Sequence, residues 1–324
     1  MVVPVLRCLY KQHLEVEVTF ITKKLHAPLF EEFPQMNLLY FDPKTKHKGI
    51  RGLWRLFKEI KKTKPTAIAD LHGVLRTSVL QLFFKSQGFL FSKIDKGRTE
   101  KRKLTRTENK VFEPLPHSTD RYVEVFRKLG LDLDLSMHEF PQKPALPNSN
   151  PAHFQKTEKK WIGVAPFASF NGKVYPMDLM QEVVEALQKE HQVYLFGAGP
   201  KELHQLEVWE NTYKNVYTLA DHYTFSEELR FIAHLDLMIS MDSANAHFAA
   251  NVNTKVLTLW GITHPYCGFS AWGQPNSNSL LSDRKQFPKI PTSIYGNKIP
   301  EGYHDVFRSV HPEQVIEKAK ELLA

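Results

Sequence analysis

From residue 161 to residue 261, short apolar runs alternate with segments of helical periodicity. "WIGVAPF" (161–167), "QVYLFGAG" (192–199), "NVYTLA" (215–220), "DLMISMD" (236–242) and "TKVLTLWG" (254–261) read as strands. "PMDLMQEVVEALQKEH", "PKELHQLEVWENTY", "FSEELRFIAHL" and "SANAHFAANV" lie between them and read as helices. Strands joined each time through a helix pair in parallel, with right-handed crossovers and helices on both faces. This pattern predicts an α/β domain of Rossmann type.

The first half repeats the alternation. "EVEVTFIT" (15–22), "NLLYFD" (37–42) and "TAIADLHG" (66–73) read as strands, while "GIRGLWRLFKEIKK" has apolar residues at helical spacing. "DRYVEVFRKLGL" (120–131) reads as a helix stopping at Gly130. The stretch 140–160 carries four prolines and no periodicity, which is linker composition. The expected organisation is a first Rossmann-like domain over 1–145 and a linker over 146–160. A second such domain follows over 161–310, with a closing amphipathic helix over 311–324. Two such domains facing one another would leave a cleft, with ligands at the carboxyl ends of the strands.

Charge is unevenly shared. Residues 1–150 hold 27 Lys+Arg against 16 Asp+Glu, whereas 151–324 hold 16 against 19. The excess gathers in 44–64 and 93–106, and such blocks can meet nucleic acid, anionic lipid headgroups or acidic sugars. No apolar run approaches the ~18 residues of a membrane span. The N-terminus has no signal-peptide pattern, and the two cysteines, Cys8 and Cys267, make no disulfide framework and no zinc spacing. An intracellular protein without zinc is expected.

Four loops that follow strands would line one rim of the second domain: 166–176, 197–202, 220–227 and 241–247. "SMDSANAHFAA" (240–250) sets Asp242, Ser243 and Asn245 where a strand gives way to an Ala-rich helix. Such residues serve as helix N-caps. A helix start after a strand is also an anion site, because free N–H groups and the dipole point outward. "GAGPKE" lacks the third glycine of a dinucleotide fingerprint, which argues against a dehydrogenase. Lys173 as a cation for phosphate, the helix start at "DSA" and a carboxylate at Glu202 for ribose hydroxyls together describe a nucleoside-diphosphate pocket.

"SMDSANAHFAA…TKVLTLWGITHP", with "GVAPFAS…GKVYP" and "LFGAGPKE" upstream, resembles the ADP-heptose:lipopolysaccharide heptosyltransferase family, inverting glycosyltransferases of the GT-B fold. "DLHGVLRT" (70–77), "DKGRTEKR" (95–102) and "HSTDRYVEVF" (117–126) are similar to the same family, so the likeness covers nearly the whole chain. It implies that Lys173 contacts the donor diphosphate and that Asp242, Ser243 and Ala244 form the turn receiving diphosphate and sugar. His247 follows one turn into that helix, Glu202 stands near the adenosine ribose, Tyr223 flanks the base and His264 lies near the cleft. It further implies an ADP-sugar donor with no other cofactor, no metal, and an acidic acceptor such as phosphorylated lipid A with Kdo. Arg76, Lys96, Arg98 and Lys101 are candidates to hold that acceptor at the inner face of the cytoplasmic membrane.

The chain departs from the family at its start. Relatives open with a buried strand and a loop ending in Gly-Asp, whose Asp is the general base, whereas "MVVPVLRCLYKQH" looks like the helix after that loop. The expected base would then lie upstream of Met1, and Asp42 and Asp70 are poor substitutes. Two rivals follow: a non-catalytic sugar-nucleotide or glycolipid-binding relative, and a nucleic-acid-binding protein suggested by the basic segments. The second lacks any helix-turn-helix, zinc-finger or RNP motif.

Overall fold

A computed structural model describes residues 1–147, 158–220 and 222–324. The chain forms two compact units, each discontinuous in sequence: Met1–Arg98 with Pro116–Glu139, and Thr99–Leu115 with Phe140–Ala324.

The second unit is built on a six-stranded parallel sheet. Its strands are β5 (Trp161–Ala165), β6 (Gln192–Leu195), β7 (Val216–Thr218), β8 (Leu237–Met241), β9 (Val256–Trp260) and β10 (Ser279–Leu281), in the order β10-β9-β8-β5-β6-β7. Every residue of β5, β8 and β9 is buried, as expected for parallel strands covered on both faces. The sheet grows from β5 through β6 to β7, then crosses back to β8 on the other side of β5. The topological switch point therefore lies between β5 and β8, with Ala165 in register with Ser240. Helices α6 (Met177–Leu187), α7 (Pro200–Thr212), α8 (Phe225–Ile232), α9 (Ala244–Asn251) and α10 (Pro312–Leu323) make the crossovers and close the unit. One cluster packs Ile162, Val164, Leu195 and Ile239 against Met180, Val183, Leu206 and Val315. A second packs Trp161, Tyr194 and Phe231 against Ala246 and Ala249.

The first unit has α1 (Val2–Gln12), β1 (Thr19–Thr22), β2 (Asn37–Tyr40), α2 (Gly49–Lys62), β3 (Ala67–Asp70), α3 (Leu75–Lys85), β4 (Leu90–Lys93) and α5 (Ser118–Arg127). Among the described residues its strands form two separate parallel pairs, β1-β2 and β3-β4. Both pairs share helical layers: Leu39, Ile68 and Phe91 pack with Leu53, Phe57 and Phe84 of α2 and α3. Mid-strand Ile21 is 38% exposed, unlike any residue of β5, β8 or β9.

Two features differ from the sequence expectation. The predicted linker falls largely on residues 148–157, outside the described residues. Residues 99–115, expected in the first domain, belong to the second unit. The helix α4 (Arg98–Thr105) explains why: Leu104 is fully buried among Cys267, Ile294, Phe112 and Leu115. Leu115 N donates to Tyr266 O at 2.9 Å, and Lys110 Nζ donates to Leu104 O at 2.7 Å and Pro291 O at 2.9 Å. A segment that reads as basic and solvated thus carries apolar residues that find their core about 150 or more positions further along the chain, which local periodicity does not reveal.

Candidate functional site

The switch point brings together the residues that follow β5 and β8. A short turn over Asn171–Lys173 aims the Lys173 ammonium at Asp242, the first residue after β8. Nζ stands 2.7 Å from Asp242 Oδ2 and donates to the Asp242 carbonyl at 3.0 Å. Thr263 Oγ1 donates to the same carboxylate oxygen at 3.0 Å. Both partners are desolvated, with side-chain exposures of 14% and 6%, so the pair is stronger than a surface salt bridge.

This geometry sets aside the capping role for Asp242 and Ser243. Asp242 faces Lys173 and Thr263, while Ser243, at the N-cap of α9, makes no side-chain cap bond and lies 3.1 Å from Ser240 Oγ. The first turn of α9 therefore presents backbone N–H groups at the strand ends beside a lysine, with Ala244 exposed and His247 half-buried one turn in. That arrangement suits a diphosphate: a cation, unspent backbone donors and a positive helix end.

Backbone close approach holds Lys173 in place. Ile262 N donates to Gly172 O at 3.1 Å, and a Cβ at Gly261 would stand 2.5 Å from that carbonyl. Gly296, at φ +78°, lies so close that a Cβ there would fall 2.5 Å from Lys173 Cγ. Thr263, Gly172, Gly261 and Gly296 escaped sequence reasoning. "GKVYP" and "GITHP" stand within the family resemblance, but nothing local in them or around Gly296 says which lysine these residues touch.

His264 caps the short turn after β9, where its Nδ1 accepts from Tyr266 N at 3.1 Å. It is 6% exposed and its ring meets Tyr266 and Phe112 edge-on. Burial, aided by the nearby Arg284 charge, brings its pKa down to about 4, so it is a neutral acceptor at pH 7. Glu202 sits in the first turn of α7 and accepts from Ala198 N at 2.8 Å, bracing the "GAGPKE" loop. Tyr223 packs against the second core cluster, 6.1 Å from the Phe231 ring, and burial pushes its hydroxyl up to about 12.

The four acceptor candidates do not form one group within a unit. Lys101 lies in the second unit, 4.6 Å above the Phe269 ring, whereas Arg76, Lys96 and Arg98 lie in the first. Around the end of β3, His72 N and Gly73 N donate to Asp70 Oδ1 at 3.0 and 2.9 Å. Lys96 crosses this turn, and burial with the Arg98 and Lys93 charges lowers its pKa. His72, which the motif reading passed over, feels the same cations: burial and Lys96 lower its pKa. Arg76 lies 5.3 Å from the Phe41 ring. Among the described residues no group of three or more His, Cys, Asp or Glu is placed to hold a metal.

Comparison with known proteins bears on the chain's fold and family. A lipooligosaccharide heptosyltransferase 2 from Campylobacter jejuni is 28% identical over 172 residues, which cover 51% of each chain. The match thus spans about half the length of that relative. A solved glycosyl transferase family 9 structure from Veillonella parvula superposes with a TM-score of 0.75 at 19% identity, covering 99% of this chain and 92% of the other. An E. coli ADP-heptose lipopolysaccharide heptosyltransferase II does so with 0.65 at 16% identity, covering 99% and 93%. These likenesses establish the GT-B fold expected from the sequence. The family model of glycosyltransferase family 9 (heptosyltransferase) matches residues 53–293, most of the chain, and the protein belongs to that family.

Proposed function

We propose that the chain transfers a heptose from ADP-heptose to an acidic acceptor of the lipopolysaccharide core, with inversion and without a metal. One observation carries this reading above the rest: the desolvated Lys173–Asp242 pair stands at the sheet's switch point beside the first turn of α9. Breaking the sugar–phosphate bond leaves negative charge on the departing ADP. The Lys173 ammonium and the amides at the start of α9 are positioned to take up that charge. Asp242, held by Thr263, fixes the ammonium before the donor arrives, so little reorganisation is needed at the moment of transfer. Glu202, Tyr223, His247 and His264 complete the proposed donor region, with Ser243 and Ala244 at its floor.

The acceptor is held in this reading by Arg76, Lys96 and Arg98 of the first unit. Their cationic chemistry suits phosphate and carboxylate groups of a lipid-anchored sugar at the inner face of the cytoplasmic membrane. Neither strand-end carboxylate of the first unit is placed as a ready base. Asp42 accepts from Lys44 N at 2.9 Å and Thr45 N at 3.0 Å, while Asp70 spends Oδ1 on its own turn and keeps Oδ2 buried, out of reach of a substrate hydroxyl. The non-catalytic reading gains no support from the comparisons over the transferase.

The test is ligand-dependent melting. ADP at about a hundred times its Kd should stabilise the protein by about 2.7 kcal/mol. Lys173→Ala should need far more ADP for the same shift, and Arg76→Ala should leave it unchanged while slowing ADP release with an acidic glycolipid. No ADP-dependent shift in the unaltered protein would sink the proposal.

A further inference from the structure

We propose that the solvent face of α2 docks on an anionic phospholipid bilayer. The helix has two faces of opposite character. Leu53, Leu56, Phe57 and Ile60 point inward and are buried. At about 100° per residue, the exposed positions 50, 51, 54, 55, 58, 61 and 62 fall within a stripe about 140° wide on the other side. Five of these are cations: Arg51, Arg55, Lys58, Lys61 and Lys62. The helix's one acid, Glu59, is turned aside to Lys46 at 2.9 Å and His47 at 3.2 Å, so no carboxylate interrupts the stripe.

Charge alone would suit any polyanion, but the stripe also carries two large apolar side chains. Ile50 is 72% exposed and Trp54 41%. Trp54 is braced from behind by Phe57 at 5.0 Å and Phe83 of α3 at 5.1 Å, and Lys58 Nζ lies 5.7 Å from its ring. A rigidly seated indole beside cations fits the headgroup level of a bilayer, where an amphipathic ring is half in apolar surroundings. Ile50, at the helix start, gains by leaving water there. A phosphodiester backbone would engage the same cations but leave Ile50 and Trp54 exposed. The net positive first half of the chain adds attraction of the same sign.

None of these residues is among those assigned to donor or acceptor, and the inference does not rest on the transferase reading. The experiment uses the full chain and sedimentation with vesicles of phosphatidylcholine alone or with about one third phosphatidylglycerol. Binding is expected to the anionic vesicles only, weakening as salt rises. Each cation removed should lower partition about fivefold, so Arg51→Ala with Lys58→Ala should lower it about twenty-five-fold without loss of the melting transition. Adding anionic vesicles should shift tryptophan emission to shorter wavelength, and Trp54→Phe should abolish the shift. Indifference of the unaltered protein to anionic vesicles overturns the proposal, as does full binding by the double variant. Retention on duplex DNA, lost in the double variant without any vesicle binding, would assign the stripe to nucleic acid and also overturn it. The vesicles contain neither nucleotide nor acceptor sugar, so a failure to bind ADP would count against the transferase alone.

Discussion

Lys173 and Asp242 are worth more together than either is alone. Removing the ammonium leaves a carboxylate buried with only Thr263 beside it, and Lys173→Ala should destabilise the second unit by about 3 kcal/mol. Asp242→Asn keeps an acceptor for Thr263 and should cost less. The double variant should fall well short of the summed losses in a melting cycle. Gly296→Ala combines a left-handed backbone with a collision against the Lys173 stem. It should raise the ADP concentration needed for half-saturation several-fold, read by calorimetry, while a substitution at exposed Gly302 should not. His264 links the same region to pH. Its folded pKa of about 4 lies below the ordinary value of 6.5, so its stabilisation is complete above 6.5 and is withdrawn as pH falls toward 4. The loss should approach about 3 kcal/mol. His264→Asn, which keeps a cap acceptor and cannot be protonated in this range, should flatten the melting temperature between pH 6.5 and 4. Lys173, Asp242 and Ser243 were legible because a strand end followed by small polar residues has few uses. Thr263 and Gly296 were not, because their partners are distant in sequence.

At the scale of elements, the second unit's strands were legible and the first unit's less so, for one reason. β5, β8 and β9 are continuous apolar runs because both faces are covered, and such runs stand out. α4 escaped notice inside a basic block, and β4 and β10 are only four and three residues long. The same contrast predicts unequal protection. In β1-β2 and β3-β4 each strand has one hydrogen-bonded neighbour, whereas β5 and β8 have one on each side. Amides of the two pairs should exchange with solvent at least about a hundredfold faster than those of β5 and β8 in native-state hydrogen exchange. Equal protection across both units would contradict this account.

Across the whole molecule, the two-unit plan was readable from the restart of alternation at 161, but the path of the chain between the units was not. Composition marks linkers by proline and polarity, and the polar 99–103 and Pro114 only continue the character of the sequence on either side. Leu104 decides the matter, since it is fully buried in the second unit. Leu104→Ala should therefore cost 2–5 kcal/mol and lower the melting of that unit. Differential proteolysis, following fragments of each unit, should show the second opening early while the first keeps its resistance.

That discontinuity has a consequence for how the protein is made. Synthesis delivers residues 99–115 before any of the chain that will bury them, and the first unit can close once 116–139 has emerged. Leu104, Phe112 and Leu115 then wait in water until Cys267 and Ile294 leave the ribosome. At about 5–20 residues per second, that wait lasts on the order of ten seconds or more, an interval in which a chaperone that recognises short apolar stretches among lysines and arginines has a ready client.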